Sequence, residues 1–142
     1  MSFLDMSRQF MAAFLASGGF SVLFNLSAKH LFFASLVGAM GWLGYQVVVP
    51  VSGSIMATFL AAAIVSLLAE ILSRILKTPA STLTVPGIIP LVPGMRVYRS
   101  MEYFLHGNNV NGLDEVAMTL LVSGAIALGI AVVGSLFRLK KR

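Results

Sequence analysis

The sequence has no cysteine and only two histidines among its 142 residues. Disulfide bonds, thiolate metal sites and cysteine nucleophiles are therefore excluded. His30 and His106 fall in different predicted loops, so they do not supply a paired-histidine metal site. The chain also lacks a Gly-x-Ser-x-Gly nucleophile elbow and the clustered aspartates of a metal-dependent transferase. These absences argue against an enzyme and predict no metal or other cofactor.

Charged residues are also scarce, at 11% of the chain, whereas 58% of the residues are hydrophobic. Ordinary soluble domains carry about 25% charged residues, and the mean hydropathy of this chain is +0.92. A soluble core of this length could not hide so much apolar surface, so lipid must cover much of it. We therefore expect a single transmembrane domain over residues 1–142, with no separate soluble domain.

The net charge of +5 does not indicate a nucleic-acid partner, because its position matters more than its sum. Four of the ten Lys and Arg residues lie in the last five positions, residues 138–142, directly after an apolar stretch. No aromatic residues interleave with these charges, as they do on many nucleic-acid surfaces. A basic end after an apolar helix is typical of an orientation signal at a membrane.

Five apolar stretches follow one another along the chain. A membrane-spanning helix needs about 20 apolar residues, and the short links favour antiparallel neighbours. The pattern predicts an all-α, polytopic membrane helix bundle with about five transmembrane segments. The first stretch is interpreted as a retained helix rather than a signal peptide, because Asp5 and Arg8 cancel in the would-be basic region. The stretches are residues 9–26, 31–49 (ending at Pro50), 51–73, 82–105 and 113–137.

The fourth stretch is broken by three prolines and two glycines within residues 86–94. Each proline removes a backbone N–H donor and clashes with a continuing helix. In hydrocarbon, a broken backbone is tolerated only where it packs within protein or lines a watery cavity. We expect helix to resume after Gly94 and the break at Pro90–Gly94 to serve a polar solute. A kink that serves packing alone is the alternative.

The placement of basic residues tests whether the fourth stretch crosses the membrane. If all five stretches cross, one side holds Lys29, Arg74, Lys77 and the four basic residues of 138–142, and the other holds only Arg8. Seven against one is a strong positive-inside bias. A re-entrant fourth stretch changes the count to three against five. The five-crossing topology is favoured, with the N-terminus outside and the C-terminus in the cytoplasm.

Charged side chains follow the break directly. Arg96, Arg99 and Glu102 are spaced three apart and share one helix face. Glu102 is expected to pair with Arg99, which leaves Arg96 to bind a carboxylate with its bidentate fork. The positive N-terminal end of the resuming helix suits the same anionic group. The alternative is that these arginines reach to lipid head groups at a helix end.

Two further groups of charges are interpreted mainly as structural. Glu70 and Arg74 are spaced i,i+4 near the end of the third stretch and predict an ion pair. The alternative is that Glu70 handles protons at the cytoplasmic mouth. Asp114 and Glu115 are assigned to the start of the fifth helix, where carboxylates complement the helix dipole.

Small residues recur at helical spacing on three of the stretches. Small side chains let helix backbones approach closely in lipid. Ordinary packing within the bundle is the first interpretation, and contact with a second subunit is the alternative. The stripes are Ala34, Gly38 and Gly41; Thr58, Ala62, Ser66 and Ala69; and Gly124, Ala127, Ala131 and Gly134.

The proline-glycine run contains the motif Ile-Pro-x-x-Pro-Gly, followed by a helix with an aromatic residue. The motif residues here are Ile89, Pro90, Pro93, Gly94 and Tyr98. This pattern resembles the core motif of the threonine/serine exporter family. Over its full length the chain is similar to that family's short integral-membrane component, which corresponds to the C-terminal half of the fused exporters. The resemblance implies a bacterial inner-membrane exporter of threonine and serine, with some split members linked to succinate. It also implies a larger membrane subunit as partner.

Two functions are compatible with these observations. The first is a subunit of a secondary exporter of small hydrophilic metabolites, acting by alternating access and driven by the proton gradient. The second is a structural membrane subunit that stabilises a pore-forming partner. In either function the chain works in a lipid bilayer, together with a larger subunit of its family or with further copies of itself. For the exporter, the proposed proton-coupling residues are Glu102 and Glu70, and the proposed substrate-binding residues are Pro90, Pro93, Gly94, Arg96, Tyr98 and Arg99.

Overall fold

The computed structural model describes residues 2–140, and all of its secondary structure is helical. The all-α prediction is confirmed. Helices α2 and α5 are each long and apolar enough to cross a membrane. The elements are α1 (Phe3–Leu23), α2 (Ala28–Leu76), α3 (Ser81–Gly87), the 3-10 helix η1 (Ile89–Leu91), α4 (Gly94–Leu105) and α5 (Asn109–Leu139).

Helix α1 begins at a capping box. The Ser2 hydroxyl accepts a hydrogen bond from the Asp5 backbone N–H at 3.3 Å, and the Asp5 carboxylate accepts one from the Ser2 N–H at 3.4 Å. Two otherwise unpaired helix-end donors are thereby satisfied. The helix packs through small side chains such as Ser17 and Ser21, both fully buried.

Helix α2 turns back on itself at Gly53, where φ is 76° and ψ is 174°. This backbone conformation is essentially restricted to glycine. The expectation that helix ends at Pro50 is wrong, since Pro50 lies within helical backbone and the break comes three residues later. Proline removes only one hydrogen bond, whereas reversal of the chain needs a residue free to adopt positive φ.

The two arms of α2, residues 28–52 and 54–76, pack against one another as an antiparallel hairpin. Ala34 and Ala69 share one buried cluster near its open end. A Cβ added at Gly41 would lie 2.2 Å from the Val65 side chain. Small residues thus set how closely the arms approach, as expected for helices in lipid.

The stripes of small residues do not all serve the same purpose. The first two stripes are buried and form the contact between the arms of α2 and their neighbours. The stripe predicted on α5 is largely exposed, so it does not pack within this chain. Instead, a neighbouring face of α5 meets the second arm, and a Cβ added at Gly129 would lie 2.6 Å from the carbonyl oxygen of Phe59. The buried residues of α5 are Gly112, Val122, Ala125, Ile126 and Gly129.

Residues 82–105 contain three short helical elements, α3, η1 and α4, in place of one helix. Helix α3 is packed in protein. A Cβ added at Gly87 would lie 3.0 Å from both Val37 and Val65, so the backbone of the proline-glycine run sits directly against both arms of α2. Helix α4 is amphipathic, and α5 follows it and packs antiparallel to it. At this contact the Phe104 ring covers Gly112.

The largest core cluster lies where α2, η1 and α5 meet. Trp42, Tyr45 and Ile88 pack around it as partly buried neighbours. The cluster is purely apolar, and its buried members are Val37, Ala61, Ala62, Val65, Leu91 and Ile126.

Candidate functional site

The proline-glycine run forms one wall of a cleft of about 200 Å³, which we call the Arg96 cleft. Pro90 lies in η1, and Pro93 is the residue that precedes α4. Each of the three prolines lacks an N–H donor, and Pro86 lies inside α3 close to its end, so no continuous helix runs through this segment. The lining residues are Trp42, Tyr45, Ser54, Thr58, Pro90, Leu91, Val92, Pro93, Met95, Arg96 and Val122.

Three of the six predicted substrate-binding residues line this cleft, namely Pro90, Pro93 and Arg96. Gly94 is the first residue of α4 and adjoins the cleft without lining it. Tyr98 and Arg99 are exposed on α4 and do not line it.

Arg96 is held by a partner on another helix. Its Nη1 lies 3.2 Å from Oε2 of Glu115 on α5, and the two side chains are 33% and 18% exposed. Arg96 is therefore not the uncommitted cation that the sequence suggests. The expected Arg99–Glu102 pair does not form, and both side chains are exposed.

The predicted capping role of Asp114 and Glu115 is also wrong, because α5 begins earlier, at Asn109. The cap is Asn108, whose side chain accepts a hydrogen bond from the Asn111 backbone N–H at 3.3 Å. The short turn between α4 and α5 folds them antiparallel and brings Glu115 next to Arg96. The turn-rich sequence of residues 106–112 was the feature from which the antiparallel pairing of α4 and α5 could have been predicted.

A polar cluster next to the cleft was not identified from the sequence. The side-chain oxygen of Gln9 on α1 accepts a hydrogen bond from Trp42 Nε1 at 2.9 Å and another from the Gln46 amide. Trp42 also stacks on Tyr45, with ring centroids 5.2 Å apart and planes at 20°. From the sequence, Trp42 and Tyr45 are assigned to packing or to an interface belt. Two glutamines within apolar stretches were the signal that buried polar contacts existed.

Glu70 lies in a second, larger cleft, which we call the Glu70 cleft. It has two adjoining parts of about 570 and 520 Å³ that share Glu70, Ala80 and Arg138. The larger part is lined by Ser66, Glu70, Ala80, Ser81, Thr84, Val85, Ile88, Ile130, Ala131, Gly134, Ser135 and Arg138. The smaller part adds Ser73, Arg74, Lys77, Thr78, Pro79 and Phe137.

The predicted Glu70–Arg74 ion pair does not form. The Arg74 guanidinium instead lies over the Phe137 ring on α5, 4.8 Å from its centroid. A cation over an aromatic face is attracted by the ring quadrupole. The contact with Phe137 therefore competes with an ion pair between Arg74 and the Glu70 carboxylate. Within residues 2–140 the half-buried Glu70 side chain has neither an ion-pair partner nor a hydrogen-bond partner.

The two clefts lie at different levels of the bundle. On the second arm of α2, Thr58 lines one and Glu70 lines the other, a separation of about 18 Å at 1.5 Å per residue. On the proline-glycine segment, Ile88 lines the Glu70 cleft and Leu91 lines the Arg96 cleft. The apolar core cluster, which includes Val65, lies between them. A polar molecule in one cleft is thus separated from the other by an apolar layer at the proline-glycine run.

The chain matches a family model described as "Threonine/Serine exporter, ThrE" over residues 9–136. It is 29% identical over 97 residues to a threonine/serine exporter of Corynebacterium glutamicum, a match that covers 68% of this chain and 20% of that protein. It is 27% identical over 132 residues to an uncharacterized protein of Haemophilus influenzae, covering 87% of this chain and 44% of that one.

The chain spans less than half the length of these two curated relatives. No solved structure matches it. The family match covers nearly the whole chain, and it includes the Arg96 cleft, the proline-glycine run and the lining of the Glu70 cleft except Phe137 and Arg138. The chain therefore belongs to the threonine/serine exporter family, whose members are membrane transporters and not enzymes.

Proposed function

We propose that the chain is the short membrane subunit of a split secondary exporter for small hydrophilic metabolites. The observation that carries this proposal is a pair of clefts, each with charged and hydroxyl side chains in its lining, separated by an apolar layer at the proline-glycine run. A transporter needs a polar site that communicates with one side at a time, and irregular backbone in a membrane belongs where it lines such a cavity. Threonine, serine or a small dicarboxylate such as succinate are the proposed solutes.

The proposed topology has five crossings in the bacterial inner membrane. They are α1, the two arms of α2, the broken segment of α3, η1 and α4, and α5. Arg74, Lys77, Arg138 and Lys140 all belong to the end of the bundle that holds the Glu70 cleft. The positive-inside rule assigns that end to the cytoplasm. The N-terminus and the Arg96 cleft then face outward.

In this arrangement the solute enters the Glu70 cleft from the cytoplasm and leaves through the Arg96 cleft. Passage requires the layer around Val65, Leu91 and Ile126 to open. The 3-10 helix η1, which carries Leu91, is the proposed moving part because short 3-10 segments often mark hinges. Pro90, Pro93 and Gly94 would shape the backbone that the solute meets.

Arg96 is the proposed carboxylate-binding residue, and it would exchange Glu115 for the solute. An ion pair that is 33% and 18% exposed is weak enough for this exchange. Tyr98 and Arg99, exposed on α4, would act at the mouth of the cleft. Interaction of α4 with lipid head groups is the alternative role for these side chains.

Proton coupling is proposed to use a carboxylate that the solute route reaches. Glu70 fits better than Glu102, because Glu70 lines a cleft and Glu102 is exposed on α4. Export driven by protons should slow when an ionophore collapses the gradient. Efflux that persists unchanged after the collapse would rule out proton coupling.

The test of export uses cells loaded with radiolabelled L-serine, L-threonine or succinate that express the chain with its larger partner. We expect faster efflux of at least one solute than from cells with the partner alone. Arg96→Ala should abolish the gain at normal protein levels, whereas the control Lys29→Gln, an exposed change on the predicted cytoplasmic side, should not. Equal efflux with and without the chain would contradict the proposal.

A structural subunit is the second candidate function. It is favoured by the exposed small-residue stripe of α5. Such a stripe suits close contact with another membrane helix. Reconstitution of the chain alone and with the larger subunit separates the two functions, since transport by the short chain alone excludes a pure scaffold.

A further inference from the structure

The Glu70 cleft contains opposite charges that do not neutralise each other. Glu70 on α2 and Arg138 on α5 line both parts of the cleft, yet they form no ion pair. Arg74, the nearest cation along the helix, is directed to the Phe137 ring. The cleft therefore presents a carboxylate and a guanidinium from two different helices, with Lys77 as a further cation in its smaller part.

An unpaired hydroxyl lies beside these charges. Ser66 lines the larger part of the cleft and is 3% exposed. Its hydroxyl makes no hydrogen bond within residues 2–140, whereas the Thr84 hydroxyl in the same wall donates to the Ala80 carbonyl at 2.9 Å. Ser66 precedes Glu70 by four residues, so both side chains share one helix face.

These groups match one class of molecule. A zwitterionic α-amino acid carries an ammonium group, a carboxylate and, in serine or threonine, a hydroxyl close to both. We infer that the Glu70 cleft binds such a zwitterion, with Glu70 on the ammonium, Arg138 on the carboxylate and Ser66 on the side-chain hydroxyl. The cleft volume lies within the ~300–1,000 Å³ of typical small-molecule sites.

This inference rests on the proposed function for its setting and adds a binding site and its selectivity. Glu70 is the one carboxylate among the lining residues, whose cations are Arg74, Lys77 and Arg138, so discrimination against a dicarboxylate rests on the contact between Glu70 and an ammonium group that a dicarboxylate lacks. The Arg96 cleft does not discriminate between an amino acid and a dicarboxylate in this way, because the charged residue in its lining is the cation Arg96. Choice between amino acid and dicarboxylate is thus made at the Glu70 cleft.

The absence of cysteine from the native chain permits a direct test. Ser81→Cys places a reporter on the wall of the Glu70 cleft, and Ser52→Cys places a control near the turn of α2, outside it. Each single-cysteine protein is purified in detergent and alkylated with and without L-serine. We expect L-serine to slow alkylation of S81C at least threefold and to leave S52C unchanged, while succinate protects neither. Equal rates with and without L-serine, or equal protection by succinate, would overturn the inference.

Charge variants then assign the contacts. Glu70→Gln and Arg138→Gln in the S81C background should each remove the protection by L-serine, and Arg138→Lys should retain part of it. Lys29→Gln serves as the charge control, and a gel-filtration profile checks that each variant is folded. Protection that survives both Gln variants would overturn the site. Export is measured separately, so export without protection contradicts this site alone, and protection without export contradicts the proposed function alone.

Discussion

Arg96 on α4 and Glu115 on α5 form an ion pair, with 3.2 Å between Nη1 and Oε2. The pair joins the helix that follows the proline-glycine run to a membrane-length helix of the bundle. Arg96 also lines the cleft beside that run. A change in the position of α4 would therefore move the two α4 residues that line the cleft, Met95 and Arg96.

The first prediction concerns this pair. Glu115→Gln should lower the free energy of unfolding by no more than about 1 kcal/mol, because partly exposed ion pairs contribute little. It should nevertheless change the rate of solute efflux, because Arg96 loses its resting partner. Thermal unfolding in detergent and efflux from loaded cells measure the two effects. A large loss of stability with unchanged efflux would assign the pair to structure alone.

The second prediction concerns the contact between α5 and the second arm of α2. Gly129→Ala should destabilise the protein by about 1–3 kcal/mol, the usual effect of overpacking, because the added Cβ would lie 2.6 Å from the Phe59 carbonyl oxygen. Gly124→Ala on the same helix is the matched control, since its Cβ would meet no atom within 4 Å. The midpoint of thermal unfolding should fall for G129A only. Equal midpoints would mean that the two helices do not approach this closely.

The third prediction uses the only tryptophan in the chain. Gln9→Leu leaves Trp42 Nε1 and the Gln46 amide without their shared acceptor. A fully buried unpaired donor costs about 1–3 kcal/mol, and these partly buried donors should cost less than that. A leucine side chain offers no acceptor, so the Trp42 emission maximum should shift. Fluorescence spectra and thermal unfolding check the two effects. An unchanged spectrum would show that Trp42 does not depend on Gln9.

Apolar periodicity and turn-rich links were enough to predict the helices and their approximate bounds. They were not enough to predict where α2 reverses, because the reversal depends on a positive φ at Gly53 and not on the missing N–H of Pro50. The buried face of α5 was also missed, since the choice between adjacent small-residue faces depends on which neighbour the helix meets.

The candidate site was only partly predictable, for a similar reason. Pro90, Pro93 and Arg96 stand out by composition, and all three line one cleft. Partners that come from distant parts of the chain, such as Glu115 for Arg96 and Phe137 for Arg74, are set by the packing of helices. Spacing along a single helix favoured the local pairs Arg99–Glu102 and Glu70–Arg74, which do not form.

In the proposed transporter the two clefts face opposite sides of the membrane. The most direct measurement is labelling of single cysteines in intact cells with a membrane-impermeant reagent, using Ser54→Cys in the Arg96 cleft and Ser81→Cys in the Glu70 cleft. We expect S54C to be labelled from outside and S81C to be labelled only after the cells are permeabilised. Labelling of both positions from the same side would contradict it.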